Sequence, residues 1–373
     1  RWGHEMVGFR ETPTGVVVTV DGPHGRTEHV AEYLIGCDGG RSTIRAGAGI
    51  DFPGWAATRG MYMADVVGVE LRPRPIGERI PGGGMVLCVG IGNGVTRIVI
   101  HQPGVSPDHA TGPLSFTEIA DAWQEMTGES IHHGSATWMT ALTNAAGLAT
   151  EYRRGRVFLA GDAAHDHAPL GAQGVSVGLQ DAVNLGWKLA ARIRGDVPDG
   201  LLDTYHTERH PVGQRLLRNV IAQSLLYLTG EDMEPLRTVM RELVTYPDAA
   251  RHLAGLVSGL DIRYDMGAAG HPMTGLRLRP DHQLKLADGE QVRIAELLHA
   301  GRGVLVSTDG TADAAAARWA DRVDVVSGIW AETNGQSTPD AVLLRPDGYI
   351  AWAAPGDADL TEALTNWFGH PRP

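Results

Sequence analysis

The sequence predicts an α/β fold that carries an inserted β-sheet domain and is followed by a second strand–helix domain. Three observations predict it. Two short apolar runs, 31–36 and 156–160, each end near an acidic residue with glycines beside it and lead into helical sequence. Between them, roughly 51–150, strand signals alternate with turns and one short helical stretch intervenes. The final section, roughly 275–373, has a strand–helix rhythm of its own. Open α/β sheets hold ligands beyond the carboxyl ends of their strands, so the two acid-and-glycine junctions are where a site is sought first.

In chain order, 6–10 and 17–20 read as strands joined by the turn composition Thr12-Pro13-Thr14-Gly15, with Asp21-Gly22 as a second turn. The run 31–36 is an apolar strand that ends in Cys37-Asp38-Gly39-Gly40-Arg41-Ser42-Thr43-Ile44-Arg45, ahead of a helix. By composition alone a turn with a helix cap is favoured at that junction over a ligand site, because Asp-Gly so often marks turns. In the inserted stretch, strands are predicted over 61–69, 84–89 and 96–101, and a helix over 116–126. Pro73, Pro75, Pro81 and the run Gly82-Gly83-Gly84 punctuate them. Partial alternation over 96–101 predicts a sheet buried on one face and packed or substrate-facing on the other. Met85, Leu87 and Ile100 are candidate pocket residues, for which plain core is the competing reading.

The second junction organises the chain. The strand Arg156-Val157-Phe158-Leu159-Ala160 leads to Gly161-Asp162, then to a loop holding Pro169, Gly171 and Gly174, then to a helix. Val175, Leu179, Val183, Gly186, Ala190 and Ile193 share one face of that helix; Asp181, Asn184, Lys188 and Arg192 share the other. Glycines without a Cβ let backbone lie flat against a planar ligand. The first amides of the helix favour an anionic ligand edge. Asp162 can accept two hydroxyl hydrogen bonds, as a sugar alcohol requires. An ordinary turn with Asp162 as a satisfied cap is the alternative.

Residues 199–265 are helix-rich, and Pro211 is expected to kink or start a helix there. Leu216, Leu217, Val220, Ile221, Leu225 and Leu226 form a stripe that suits a packed helix or part of a homodimer contact. In the last section, strands are predicted over 303–307 and 322–326, helices over 313–320 and 360–368, and a hairpin of 341–345 with 349–353 around Pro346-Asp347-Gly348.

The 373 residues carry a formal net charge of -12, which argues against nucleic acid or an anionic membrane as the main partner. No apolar run approaches the ~20 residues of a membrane span, and no signal peptide is recognisable, so a cytoplasmic location is expected. Cys37 and Cys88 are the only cysteines; two free thiols are expected, with no disulfide framework. His165 and His167 stand at i and i+2 with no acidic or cysteine partner at ligand spacing, so no metal is expected. No Ser/His/Asp arrangement points to a protein nucleophile, and no catalytic side chain is assigned.

Gly161-Asp162-Ala163-Ala164-His165, then Pro169, Gly171 and Gly174, resembles the GD motif of class A flavoprotein monooxygenases. Residues 179–190 are similar to that family's following helix. Asp38-Gly39 with Ser42 and Arg45 resembles the same family's DG motif. The resemblance implies an FAD-binding Rossmann-like domain built from 1–50 and 151–270, an inserted mixed β-sheet substrate domain at 51–150, and a thioredoxin-like C-terminal domain at 275–373. No cysteine lies beyond Cys88, so that last domain is expected to be structural. The chain begins Arg1-Trp2-Gly3-His4 and shows no Gly-x-Gly-x-x-Gly near its start, so the first nucleotide-binding βαβ unit is expected to be absent from it.

The family binds FAD, reduces it with NAD(P)H and forms a flavin C4a-hydroperoxide, while the protein positions the reactants. Carried onto this chain, the cofactor residues are Asp38, Gly39, Ser42, Arg45, Asp162 (on the ribityl chain), Pro169, Gly171, Ala172, Gln173, Gly174, Val175 and Ser176. Ser176 departs from the family, which has Asn there; the change implies weaker or shifted flavin binding. Residues 30–373 most resemble the aromatic polyketide subgroup, which includes aklavinone and angucycline hydroxylases and rifampicin monooxygenase. The implied reaction is hydroxylation of a polycyclic aromatic polyketide. Baeyer–Villiger oxygenation and a non-catalytic polyketide- or partner-binding role are the alternatives.

Overall fold

Strands β1 (Glu5–Thr12), β2 (Gly15–Gly22) and β3 (Gly25–Ala31) open the chain as an antiparallel meander. β3 is a departure from expectation. Its sequence Gly-Arg-Thr-Glu-His-Val-Ala is exposed almost throughout, and it joins β2 through backbone pairing, so it leaves no hydrophobic signal. The apolar run over 31–36 is accordingly not one strand. Ala31 closes β3, and only Leu34–Gly36 forms β4. A computed structural model describes residues 1–107, 113–267, 270–331, 338–356 and 358–372. They divide into two units, Arg1–Val175 with Gly213–Val257, and Ser176–Val212 with Ser258–Pro373.

In the first unit, β4 is followed by α1 (Thr43–Gly47) and the short β5 (Gly54–Trp55). Then come β6 (Gly60–Val67), β7 (Glu78–Ile80), β8 (Gly84–Gly92), β9 (Val95–His101), α2 (Phe116–Thr127) and β10 (Ser135–Thr143). These strands form a five-stranded antiparallel sheet in the order β10-β6-β9-β8-β7. Ser115 caps α2 by accepting from the Glu118 amide, and Gly128 ends it in the left-handed conformation. Tyr62, Ala64, Val66, Val86, Ile98 and Ile100 pack with Ile119, Ala120 and Trp123 of α2. Ile100 is therefore core, whereas Met85 and Leu87 alternate onto the opposite face of the sheet. Alternation and cross-strand register put Met61, Met63, Asp65, Arg97, Val99 and Trp138 on that face too. Strand β10, whose partner β6 lies far back in sequence, was not expected.

The chain continues through β11 (Ala146–Leu148), β12 (Arg153–Arg154), β13 (Val157–Leu159) and β14 (His165–His167) into α3 (Gly174–Ile193) and α4 (Gly200–Leu228). The helices α5 (Glu234–Val244) and α6 (Pro247–Ser258) follow. Pro211 lies inside α4, which runs through it despite the missing N–H. The stripe on α4 is packed at Leu216, Leu217 and Val220, while Leu225 is exposed.

The second unit holds β15 (Gln283–Leu286), β16 (Gln291–Arg293), α7 (Ile294–Leu297), β17 (Gly303–Ser307), α8 (Asp313–Ala316), β18 (Val323–Trp330), β19 (Ala341–Leu344), β20 (Ile350–Ala354) and α9 (Leu360–Phe368). Its mixed six-stranded sheet runs β16-β15-β18-β17-β19-β20 with β17 and β18 parallel. One face buries Leu284, Val304, Val306 and Val342; the other buries Leu305, Leu343, Leu364 and Trp367. The chain thus adopts the expected mixed α/β architecture.

The amphipathic reading of α3 is reversed. Val175, Leu179 and Val183 are 77%, 63% and 54% exposed, whereas Asp181, Asn184 and Lys188 are 0%, 1% and 0% exposed. Charge pairing explains the reversal. Within the second unit Lys188 and Asn184 bond Glu208, and Asp181 bonds Arg209. A buried ion is tolerated when it is paired and hydrogen-bonded.

Candidate cofactor site

The two acid-and-glycine junctions meet because β4 and β13 are neighbours in a parallel pair. The register matches Leu34 with Val157, Ile35 with Phe158 and Gly36 with Leu159, and the Ala160 amide donates to the Gly36 carbonyl at 3.0 Å. Parallel pairing sends both following loops off the same edge of the sheet.

In the first loop, Asp38 and Ser42 build the cap of α1. Ser42 Oγ donates to Asp38 Oδ1 at 2.5 Å, the Ile44 amide donates to Asp38 Oδ2 at 3.1 Å, and the Arg45 amide donates to Ser42 Oγ at 2.9 Å. Gly39 has a positive φ of 82° and open space where a Cβ would stand. Arg45 ties the two loops together. Its Nη1 donates to the Ala163 carbonyl at 2.8 Å, its Nη2 donates to the Gly40 carbonyl at 2.6 Å, and its guanidinium lies 3.6 Å from the centroid of the Phe52 ring. Burial pulls Arg45 below the ordinary arginine value, with the charges of Asp38 and Asp166 opposing. A side chain at Gly40 would meet the Asp166 carboxylate, its Cβ falling 2.0 Å from Oδ2. Asp166 keeps some surface in solvent, yet the protein packed around it, then the charge of Asp162, raise its carboxyl above the usual range.

The second loop is built differently. Asp162 is exposed, and its carboxylate has no hydrogen-bond partner among the described residues, so it is not a satisfied cap. His165 is fully buried, its ring centroid 6.3 Å from that of Tyr152. His167 Nδ1 donates to the Ala168 carbonyl at 2.7 Å, which leaves Nε2 buried and without a partner among the described residues. Burial lowers the His167 pKa, so its ring stays neutral and Nε2 is an acceptor. Pro169, exposed, precedes a turn in which Gly171 and Ala172 both take positive φ, 76° and 52°. Gln173 is buried, with Nε2 unpartnered among the described residues. Gly174 opens α3, with Val175 and Ser176 exposed in its first turn.

Two positions form a cradle that a side chain would fill. A Cβ on Gly171 would stand 2.8 Å from Gln173 Nε2 and 2.7 Å from Gln223 Nε2; one on Gly174 would stand 3.1 Å from His167 Nε2. Unpartnered buried polar atoms, a free carboxylate and glycine-lined backbone together suit a large polar ligand with a planar part. FAD fits that donor and acceptor set: hydroxyls for Asp162, and ring-edge acceptors and donors for Gln173, His167 and the α3 amides. Among the described residues no group of three or more His, Cys, Asp or Glu could hold a metal, and no helix is long and apolar enough to cross a membrane.

Comparison with known proteins agrees with this geometry. The FAD binding domain family matches residues 1–220, and the C-terminal domain of aromatic-ring hydroxylases matches 271–371. The chain belongs to the FAD-dependent aromatic-ring hydroxylases. It is 41% identical, over 100% of its length and 76% of the relative's, to the 12-dehydrotetracycline 5-monooxygenase/anhydrotetracycline 6-monooxygenase of Streptomyces rimosus subsp. rimosus. It is similar to the solved structure of CabE, an aromatic hydroxylase from angucycline biosynthesis, at 49% identity and TM-score 0.92 over 99% of this chain and 76% of that one. The structure of BexE, studied for oxidation during BE-7585A biosynthesis, is 52% identical with TM-score 0.91 over 100% of this chain and 76% of that one. Membership makes FAD the cofactor and flavin-dependent monooxygenation the chemistry.

Sequence reasoning did not place several residues of this candidate site, among them His167, which it weighed only as a metal ligand. Gly40, Phe52, Asn219 and Gln223 belong to it through contacts across loops and helices. Asn219 and Gln223 stand at i and i+4 on α4, a spacing that puts them on one face, and that was the only signal available.

Proposed function

We propose that the chain hydroxylates a polycyclic aromatic polyketide, holding FAD along the loop from Asp162 to Gly174 and using NAD(P)H as reductant. The observation that carries this reading is the open polarity of that loop: among the described residues the buried His167 Nε2 and Gln173 Nε2 lack partners, and the exposed Asp162 carboxylate beside them bonds nothing. When bound, FAD supplies reductive activation of O2 and delivers one oxygen atom to the ring. The protein's tasks are binding, orientation and exclusion of water. Asp162 accepts hydroxyl hydrogen bonds from the ribityl chain. The amides that open α3 at Gly174 favour negative charge at the ring edge. Ala168, which is buried, and Pro169 and Leu170 beside it form an apolar approach that keeps water away.

Residues 51–150 form the substrate domain in this reading, and the C-terminal section supports the fold. On the sheet face away from α2, Met63, Leu87 and Trp138 keep surface that suits a flat polycycle: a methionine adapts its shape to it and an indole stacks on it. A relative that acts on 12-dehydrotetracycline and anhydrotetracycline, and an aromatic hydroxylase from angucycline biosynthesis, support the same substrate class.

Asp162→Ala tests the reading. Losing two hydrogen bonds to an ionised acceptor, each worth about 1.5–3 kcal/mol, should weaken FAD binding by at least ~100-fold. It should also abolish polyketide-stimulated NAD(P)H oxidation and formation of a product heavier by one oxygen. Unchanged flavin retention would sink the assignment.

A further inference from the structure

The buried carboxamide of Gln173 is aimed by a residue that no motif contains. Asn219 Nδ2 donates to Gln173 Oε1 at 3.1 Å. With that bond made, the Oε1 end of the Gln173 amide faces Asn219, and Nε2, with both its hydrogens, is unpartnered among the described residues. The same Nε2 lies 2.8 Å from the point a Gly171 Cβ would occupy, and the Gln223 carboxamide borders that point too, with Nε2 at 2.7 Å and Oε1 at 2.8 Å. Below it the backbone is strained, because Ala172 holds φ at 52° without being glycine. A buried donor left open beside a strained turn is a costly arrangement for a turn alone. It is explained if the donor is reserved for a ligand.

We propose that Asn219 is a positioning residue: it orients the Gln173 carboxamide so that its N–H donors meet an acceptor on the edge of the flavin ring. Gln223 limits how far that amide can swing. The inference rests on the reading that this loop holds FAD. It adds a specific function for the second half of α4, in setting the electronic environment of the cofactor.

The direction of the amide supplies the test. Asp at 219 can only accept when ionised, so in Asn219→Asp the Gln173 amide must turn its NH2 toward residue 219 and present its carbonyl to the ligand instead. We expect FAD to bind at least ~10-fold more weakly, as when one hydrogen bond is replaced by an opposed pair of acceptors. We also expect the flavin midpoint potential to move to more negative values, since a donor that favours the negative charge arriving on reduction is gone. Gln173→Leu removes the donor without reversing it, and should shift the potential in the same direction by less. Both variants are compared with the parent by thermal melting, so that a collapse of the loop is seen separately. If both variants fold and keep the parent dissociation constant and potential while Asp162→Ala loses FAD, the positioning role is overturned. If Asp162→Ala also keeps FAD, the cofactor assignment itself falls and takes this inference with it.

Discussion

The loop at 161–174 and the helix that follows it handle buried polarity in opposite ways. The loop leaves polar atoms open, at Gln173 Nε2 and His167 Nε2, beside a carboxylate at Asp162 that bonds nothing described. The helix closes its polar groups completely. Lys188 Nζ donates to Asn184 Oδ1 and to Glu208 Oε2, both at 2.8 Å, and Asn184 Nδ2 donates to Glu208 at 2.6 Å. Arg345 grips Glu208 through two bonds, 2.6 and 2.9 Å, and also Asp347, with the Trp367 ring 4.4 Å from its guanidinium. The pairs are Lys188 and Arg345 with Glu208, Arg345 with Asp347, and Arg209 with Asp181, and burial pulls Lys188 down to about 7 against the opposing charge of Glu208. A closed network needs no ligand, and it binds α3 and α4 to the β19–β20 hairpin within the second unit. An open one is complete only when something else arrives.

Breaking the closed network should have the largest effect, and on stability. Glu208→Gln leaves Lys188 and Arg345 facing a neutral amide in a buried site, which should destabilise the protein by about 3–5 kcal/mol in urea unfolding at neutral pH. The acid limb sharpens the test. Burial alone would raise Glu208, but the charges of Arg345 and Lys188 outweigh it and hold the carboxyl down at about 2, against an ordinary 4.5. A depressed carboxyl contributes stability that is present above about pH 4.5 and lost as pH falls toward about 2, here on the order of 3 kcal/mol. That share of the acid limb should vanish in Glu208→Gln. A variant as stable as the parent, with the same acid limb, would mean that the helix network does not hold the fold and that closed and open polarity cannot be told apart in this way.

The same contrast explains what was legible in the sequence. β13 and the GD loop were legible because the signal is local: an apolar run, an acid, then glycines. α9 was legible over its full span, Leu360–Phe368, for the same reason. β3 was not, because an exposed polar strand is held by backbone pairing and by surface ion pairs such as Arg26 with Asp21, and neither leaves a hydrophobic pattern. The polar side of α3 was misread because hydrophobic periodicity registers polarity and cannot register pairing. The partners of Lys188 and Asn184 include Glu208 on the next helix and Asp347 in a distant hairpin. Asn219 and Gln223 look like ordinary polar residues on a helix until the loop is seen against them.

A smaller effect is expected at the strained turn. Ala172→Gly removes the penalty of a left-handed L-residue, about 1–2 kcal/mol, and adds the backbone freedom of glycine, about 0.5–1 kcal/mol. The net gain should lie between about 0 and 1.5 kcal/mol, read as a small rise in melting temperature. If the strain serves the ligand, FAD affinity should fall while stability rises. A variant that gains in both would show that the turn stores nothing for the cofactor.

The smallest effect is expected at Ser176. It stands exposed in the first turn of α3, three residues after the Gln173 amide, at a position where the resemblance implies Asn. Serine offers one short hydroxyl, whereas asparagine offers a longer amide with both donors and acceptor. Ser176→Asn should tighten FAD binding by about 2- to 10-fold, the worth of one added hydrogen bond at a partly wet helix start. Stability should stay within about 0.5 kcal/mol, because an exposed side chain there holds no part of the fold. Isothermal titration with FAD, alongside thermal melting, separates the two quantities. A rise in stability with no tightening would assign position 176 to helix capping and remove it from the cofactor's surroundings; tightening with stability unchanged would extend the open polarity of the loop by one further turn, into the helix itself.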